Sequence, residues 1–125
     1  MSIVDELPVA YMAACVGVIG FQIALMGGAP GGPITQGGTH EGVLPLSGRV
    51  IAGVSIFILI FMGLATGSVA GLWPHWPLWT GWVALGIQAL STVLNWITPS
   101  RPERRLWGPI TLGMLGLAAA VHITA

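Results

Sequence analysis

Long apolar runs, broken by short polar ones, set the pattern of this chain. Four stretches contain no Asp, Glu, Lys or Arg: residues 8–27, 50–72, 78–97 and 109–125. The last is short, and adding Leu106 and Trp107 extends it to 107–125 or slightly beyond. A bilayer core about 30 Å thick is crossed by about 20 helical residues, so each run has close to the required length. Backbone groups in lipid must bond within their own segment, which predicts a helix for each run. A membrane barrel does not fit, because alternation with period two is missing. The predicted architecture is all-α and integral to the membrane: one domain, residues 1–125, of four transmembrane helices in a compact bundle.

Composition strengthens that reading. Charged residues are 6% of the 125 positions and apolar residues 54%, with 19 glycines in addition. Soluble domains carry about 25% charged residues. A water-soluble fold of this size could not cover its surface with so few. The N-terminal MSIVDELP has no basic residue before the first run. That run is therefore expected to remain as a span and not to leave as a signal peptide. The net charge of zero gives no global field for nucleic acid. A single cysteine, Cys15, excludes an intrachain disulfide.

The four cations decide the orientation. Arg49 ends the Gly/Pro-rich connector 28–49, and Arg101, Arg104 and Arg105 lie between the third and fourth runs. The connector at 73–77, WPHWP, and both chain ends have none. Connectors one and three share a side in a four-span protein, and positive charge marks the cytoplasmic side. Both termini are then expected on the non-cytoplasmic side, with the arginines beside anionic headgroups. The tryptophans agree with two interfacial belts. Trp73, Trp76, Trp79 and Trp82 gather at the outer end, and Trp96 and Trp107 flank the arginines.

The stretch NWITPSRPERRLWGP, residues 95–109, predicts local structure. Thr98 precedes Pro99, which ends the third helix. Ser100 and Glu103 fit a capping box. A short interfacial turn over 101–107 is expected, entering the fourth span with a bend at Pro109. This stretch resembles a loop found in small four-span bacterial inner-membrane proteins. There an Asn ends the third span, a Ser/Pro segment follows, and E-R and W-x-P open the fourth. The resemblance implies the same topology and a bacterial cytoplasmic-membrane location. It covers 95–109 and loosely the last two spans, and it transfers no activity.

Lipid gives no hydrophobic drive between helices, so small residues mark where backbones meet. Gly63, Gly67 and Gly71 form a ridge on the second span, and Gly113, Gly116 and Ala120 one on the fourth. Ala13, Gly17, Gly20 and Ala24 line part of the first. Packing within the monomer is the expected use of these faces, with another protein as the alternative. The bulky run Ile56, Phe57, Leu59, Ile60 and Phe61 is expected to meet lipid or a partner.

Polar groups within the runs are few. Gln22 and Gln88 are the least usual, and interhelical hydrogen bonding is their expected role. Among three histidines, His75 and His122 fall on the same side. His122 is the one candidate cofactor ligand, as an axial ligand of haem or pigment. Bonding to water or backbone is its simpler role. Zinc wants three or four ligands, and no Cys, Asp or Glu accompanies these histidines in a ligand pattern. No metal site, cofactor or catalytic residue is expected. The connector 28–49 is Gly-rich but lacks G-K-[ST] and follows no strand, which argues against a phosphate loop. Its composition reads as flexible or extended, and it is the best docking candidate.

The expected function is that of a non-enzymatic accessory or stabilising subunit, packed against lipids and other integral proteins of a respiratory or photosynthetic complex. The alternative is a small dimeric channel or transporter. All four acids, Asp5, Glu6, Glu41 and Glu103, lie outside the runs, which argues against proton coupling.

Overall fold

A computed structural model describes residues 2–38 and 40–125. It is all-α: α1 spans Ile3–Met26, α2 Leu46–Val69, α3 Leu78–Ile97 and α4 Arg101–Thr124. Two 3₁₀ turns, Gly32–Ile34 and Gln36–Gly38, occupy the first connector. α1 packs against α2 and α4, and α3 packs against the same two, so the helices form a ring in chain order.

Local chemistry sets the helix ends. α1 starts earlier than the apolar run because Ser2 and Asp5 make a complete capping box, Asp5 N donating to Ser2 Oγ at 3.4 Å and Ser2 N to Asp5 Oδ2 at 3.2 Å. α2 ends at Val69, short of the predicted Leu72, through a Schellman motif. Leu72 N donates to Gly67 O and Gly71 N to Ser68 O, both at 3.0 Å. Gly71 has φ +86° there. It is the turn residue that stops the helix, and the expected third member of the packing ridge is lost for that reason. α4 starts at Arg101, where Ser100 Oγ accepts from Glu103 N at 3.2 Å. The separate turn and bend expected before Pro109 are replaced by one helix that carries Pro109 within it.

The distribution of residue types is inverted relative to a soluble bundle. Many buried positions are small or polar: Ala52, Ala65, Thr66, Ala84, Thr92 and Ala118 are almost fully enclosed. Large apolar side chains point outward, with Val16, Phe57 and Leu90 each at least 60% exposed. A folded chain in water does not present such a surface. In lipid, it is the expected arrangement, because small side chains bring helices together and large ones meet acyl chains. α1, α2 and α4 are each long and apolar enough to cross a membrane. α3 has the length, but Gln88, Asn95 and three tryptophans lower its hydropathy and it is not among these three.

Three clusters make the core. Tyr11 and Cys15 of α1 pack with Met114 and Ala118 of α4. Leu59, Met62 and Ala65 of α2 pack with Ala84 of α3. Leu25, Leu44 and Ala52 tie the end of α1 to the connector and to α2. The bulky run of α2 therefore divides. Phe57 is exposed, while Leu59 turns inward and Phe61 stacks on Trp76 at 5.8 Å.

Candidate functional site

At the centre of the bundle, a buried polar network links three helices. Tyr11 Oη donates to Gln88 Oε1 at 2.8 Å, and Gln88 Nε2 donates to Thr111 O at 3.1 Å. Thr92 Oγ1 lies 2.8 Å from Gln88 O and 3.1 Å from Thr111 O. Gln88 thus has the interhelical role expected of it. Its phenol partner was not anticipated, although Tyr11 lies one helical turn from Cys15 on the same inward face.

At the arginine-bearing end, the connector that reads as flexible is folded against α4. Ser100 Oγ donates to Pro33 O at 2.6 Å, Trp107 Nε1 to Ile34 O at 2.8 Å, and Gly37 N to Glu103 Oε2 at 2.8 Å. Gln36 Nε2 donates to Gly48 O at 2.8 Å. Two features make this folding possible. Gly37 adopts φ +79°. Gly32 comes so close to the backbone carbonyls of His40 and Gly42 that a Cβ would collide with both. The capping box is only half formed. Ser100 caps Glu103, but the Glu103 carboxylate turns away to the connector, and Ser100 N donates to Thr98 Oγ1 at 3.3 Å instead.

Between the network and the connector lies a half-open cavity of about 710 Å³. Its inner wall carries Gln22, Gln88, Ser91, Asn95 and Glu103. Ile58, Leu90, Leu94 and Ile97 of α2 and α3 form an outer rim, and all four are exposed. The other end of the α2–α3 contact is closed by small residues. Ala65 and Ala84 are fully buried, and a Cβ on Gly81 would collide with the Val69 side chain. Gln22 makes no hydrogen bond among the described residues, so its amide faces the cavity unpaired. Asn95 Nδ2 donates to Ser91 O at 2.7 Å. Phe21 and Trp107 form an aromatic pair with centroids 4.8 Å apart, and both line the cavity.

The sequence places Glu103 outside the spans, in a short interfacial turn. It is only 7% exposed, because α4 begins six residues before the predicted span and carries it into the wall of the cavity. A sequence signal existed: a carboxylate three residues after the helix cap Ser100.

The packing glycines separate into two groups. Gly63 and Gly67 of α2 meet α1, with built Cβ positions 3.7 Å from Cys15 Cβ and 3.0 Å from Met12 Sδ. Gly113 and Gly116 of α4 have nothing within 4 Å of such an atom, and neither do Gly17 and Gly20 of α1. These positions face outward, contrary to the expected packing within the monomer. Ala120 is half-buried.

His122 is half-buried. Its Nδ1 lies 3.0 Å from Ala118 O, Trp82 packs on its ring at 4.6 Å, and Nε2 is buried without a hydrogen-bond partner. His75 is exposed in the turn between α2 and α3. Among the described residues, no three of His, Cys, Asp and Glu converge on a metal-sized site. Trp73, Trp79, Trp82 and Trp96 are exposed, whereas Trp76 and Trp107 are half-buried against Phe61 and Phe21. Arg101 and Arg105 are exposed, and Arg104 Nη1 donates to Thr98 O at 2.9 Å. Arg49 packs beside the last turn of α1, where a Cβ on Gly28 would lie 2.9 Å from its Nη2. A cation there complements the negative end of the helix dipole.

No protein-family model, curated protein or solved structure matches this chain.

Proposed function

We propose that this chain crosses a bacterial cytoplasmic membrane four times and serves as a non-catalytic subunit packed against a larger membrane complex, such as a respiratory or photosynthetic one. In this reading α3 is the fourth span, the arginine-bearing end is cytoplasmic, and both termini lie on the other side. The observation that carries it is the set of small-residue faces left open. Ala13, Gly17, Gly20 and Ala24 of α1 are all exposed, as are Gly113 and Gly116 of α4. Such faces allow a second helix to approach closely in lipid. The resemblance of residues 95–109 to small bacterial inner-membrane proteins supports the location.

A second reading, a small dimeric channel or transporter, is favoured by the half-open cavity with its buried carboxylate. Purification in mild detergent, with mass spectrometry of what travels with the chain, separates the two. A larger membrane protein in stoichiometric amount supports the subunit reading. Migration alone as a monomer refutes it, and migration as a dimer of this chain favours the second reading.

A further inference from the structure

We propose that the cavity between α2, α3 and α4 binds an amphiphile with a positively charged amine or quaternary ammonium head, the cation resting on Glu103 and the hydrocarbon body passing between α2 and α3 into lipid.

Glu103 supplies the first reason. It is more than nine-tenths buried and accepts one hydrogen bond, from the Gly37 amide. Among the described residues it has no cationic partner. The neighbouring guanidinium, Arg104, is committed to the Thr98 carbonyl. Buried carboxylates are ordinarily paired, and one without a cation is costly to keep. A buried carboxylate that faces a cavity without a cationic partner is satisfied by a cation entering that cavity.

The surroundings supply the second. Phe21 and Trp107 line the same space, and the Trp107 indole is held by its bond to Ile34 O. An aromatic face beside a carboxylate is the environment that ammonium heads favour. The unpaired Gln22 amide adds a further acceptor. The inner wall also carries Gln88, Ser91 and Asn95, whereas the exposed rim residues Ile58, Leu90 and Leu94 form an apolar lateral mouth on the side where the bilayer would lie. A head that carries charge and a tail that stays in lipid satisfy both regions together. A free phosphate or a soluble anion satisfies neither.

The ammonium chemistry has two sources, a free lipophilic amine or the headgroup of an aminophospholipid. The test uses the full chain in a neutral maltoside detergent, titrated calorimetrically with dodecyltrimethylammonium. Dodecyldimethylamine oxide, of the same chain length without net charge, is the control. Glu103→Gln keeps an acceptor for the Gly37 amide while removing the charge. Ser91→Phe fills the cavity from its wall and leaves Glu103 intact.

The expected result is a preference for the ammonium over the oxide, weakened about tenfold or more by Glu103→Gln and abolished by Ser91→Phe. Lipid analysis of the purified protein then assigns the source. Phosphatidylethanolamine retained by the wild type and lost in Glu103→Gln indicates the lipid headgroup. Ammonium binding without retained lipid indicates a free amine. Equal binding of both amphiphiles, or unchanged affinity in Glu103→Gln with no selective lipid loss, overturns the proposal. If Glu103→Gln does not fold, the wild-type preference and its loss in Ser91→Phe decide the matter.

Discussion

The Tyr11–Gln88 pair offers the most direct test of how the bundle is held together. Gln88 is fully buried, so neither group can turn to water when the other is removed. Tyr11→Phe deletes one interhelical hydrogen bond of 2.8 Å and leaves Gln88 Oε1 without its partner. Hydrogen bonds between membrane helices contribute about 0.6 kcal/mol on average and at most about 1.7. An orphaned buried acceptor adds about 1–3 kcal/mol in a low-dielectric interior. The single variant should therefore lose about 1–2 kcal/mol.

Gln88→Leu breaks two bonds, to Tyr11 and to Thr111 O, but Thr111 O still meets Thr92 Oγ1 at 3.1 Å. Its cost should be about 2 kcal/mol, mostly from the stranded phenol. In the double variant both polar groups are gone and the site is apolar, so the loss should be well below the sum of the singles. A coupling of about 1 kcal/mol is expected. Equilibrium unfolding in mixed micelles, followed by tryptophan fluorescence, measures all four corners of the cycle. Singles that add within about 0.5 kcal/mol would show that the two side chains do not depend on each other, and the Tyr11–Gln88 bond would then not be what holds α1 to α3.

Other substitutions probe the remaining contacts. Gly81→Val should cost about 1–3 kcal/mol by overpacking against Val69, measured by the same unfolding assay; a neutral result would mean that α2 and α3 do not meet closely there. Gly113→Leu and Gly116→Leu should leave unfolding within about 0.5 kcal/mol of wild type, because nothing within the chain lies near either position. The same two variants should lose whatever co-purifies with the wild type, and retention of the full set of partners would count against an interface on α4. Ser100→Ala removes a helix cap worth about 1 kcal/mol and the 2.6 Å bond to Pro33 O, so proteolysis within residues 28–45 should accelerate; unchanged cleavage would mean the connector is held elsewhere.

Much of the fold could be read from charge and hydropathy, because these report directly on which solvent surrounds a segment. The bounds of α3 agree with the apolar run at 78–97 to the residue, since Pro77 and Pro99 bracket it in the sequence. Other boundaries moved, and three of the shifts have a clear local cause. Hydropathy does not register the Ser2 and Ser100 caps, which lengthen α1 and α4 into charged sequence, or Gly71, which ends α2 early. The connector was the largest difference. Its Gly and Pro content resembles a mobile linker, but Gly32 and Gly37 are needed for a tight fold whose partners lie about 70 positions away on α4. No local pattern announces contacts at that separation. The cavity was hidden for the same reason. Gln22 stands out in the sequence only as a candidate interhelical bond, and Asn95 and Glu103 only as groups at helix ends; the closing of the ring places all three around one space. The direction of a small-residue face was likewise undetermined by spacing. Gly63 with Gly67 and Gly113 with Gly116 are both small pairs, yet the first faces α1 and the second faces outward.

The four-span topology rests on α3 crossing the bilayer, which places both ends of the chain on one side. Single cysteines tested in a Cys15→Ala background provide the measurement, using a membrane-impermeant maleimide on intact spheroplasts and on lysed membranes. Ala125→Cys and His75→Cys should react in intact spheroplasts, while Glu41→Cys and Pro102→Cys should react only after lysis. Protection of Ala125→Cys in intact spheroplasts together with reaction at His75→Cys would put the C-terminus in the cytoplasm. The helix bundle would then have three spans, and the orientation derived from the arginines would be wrong.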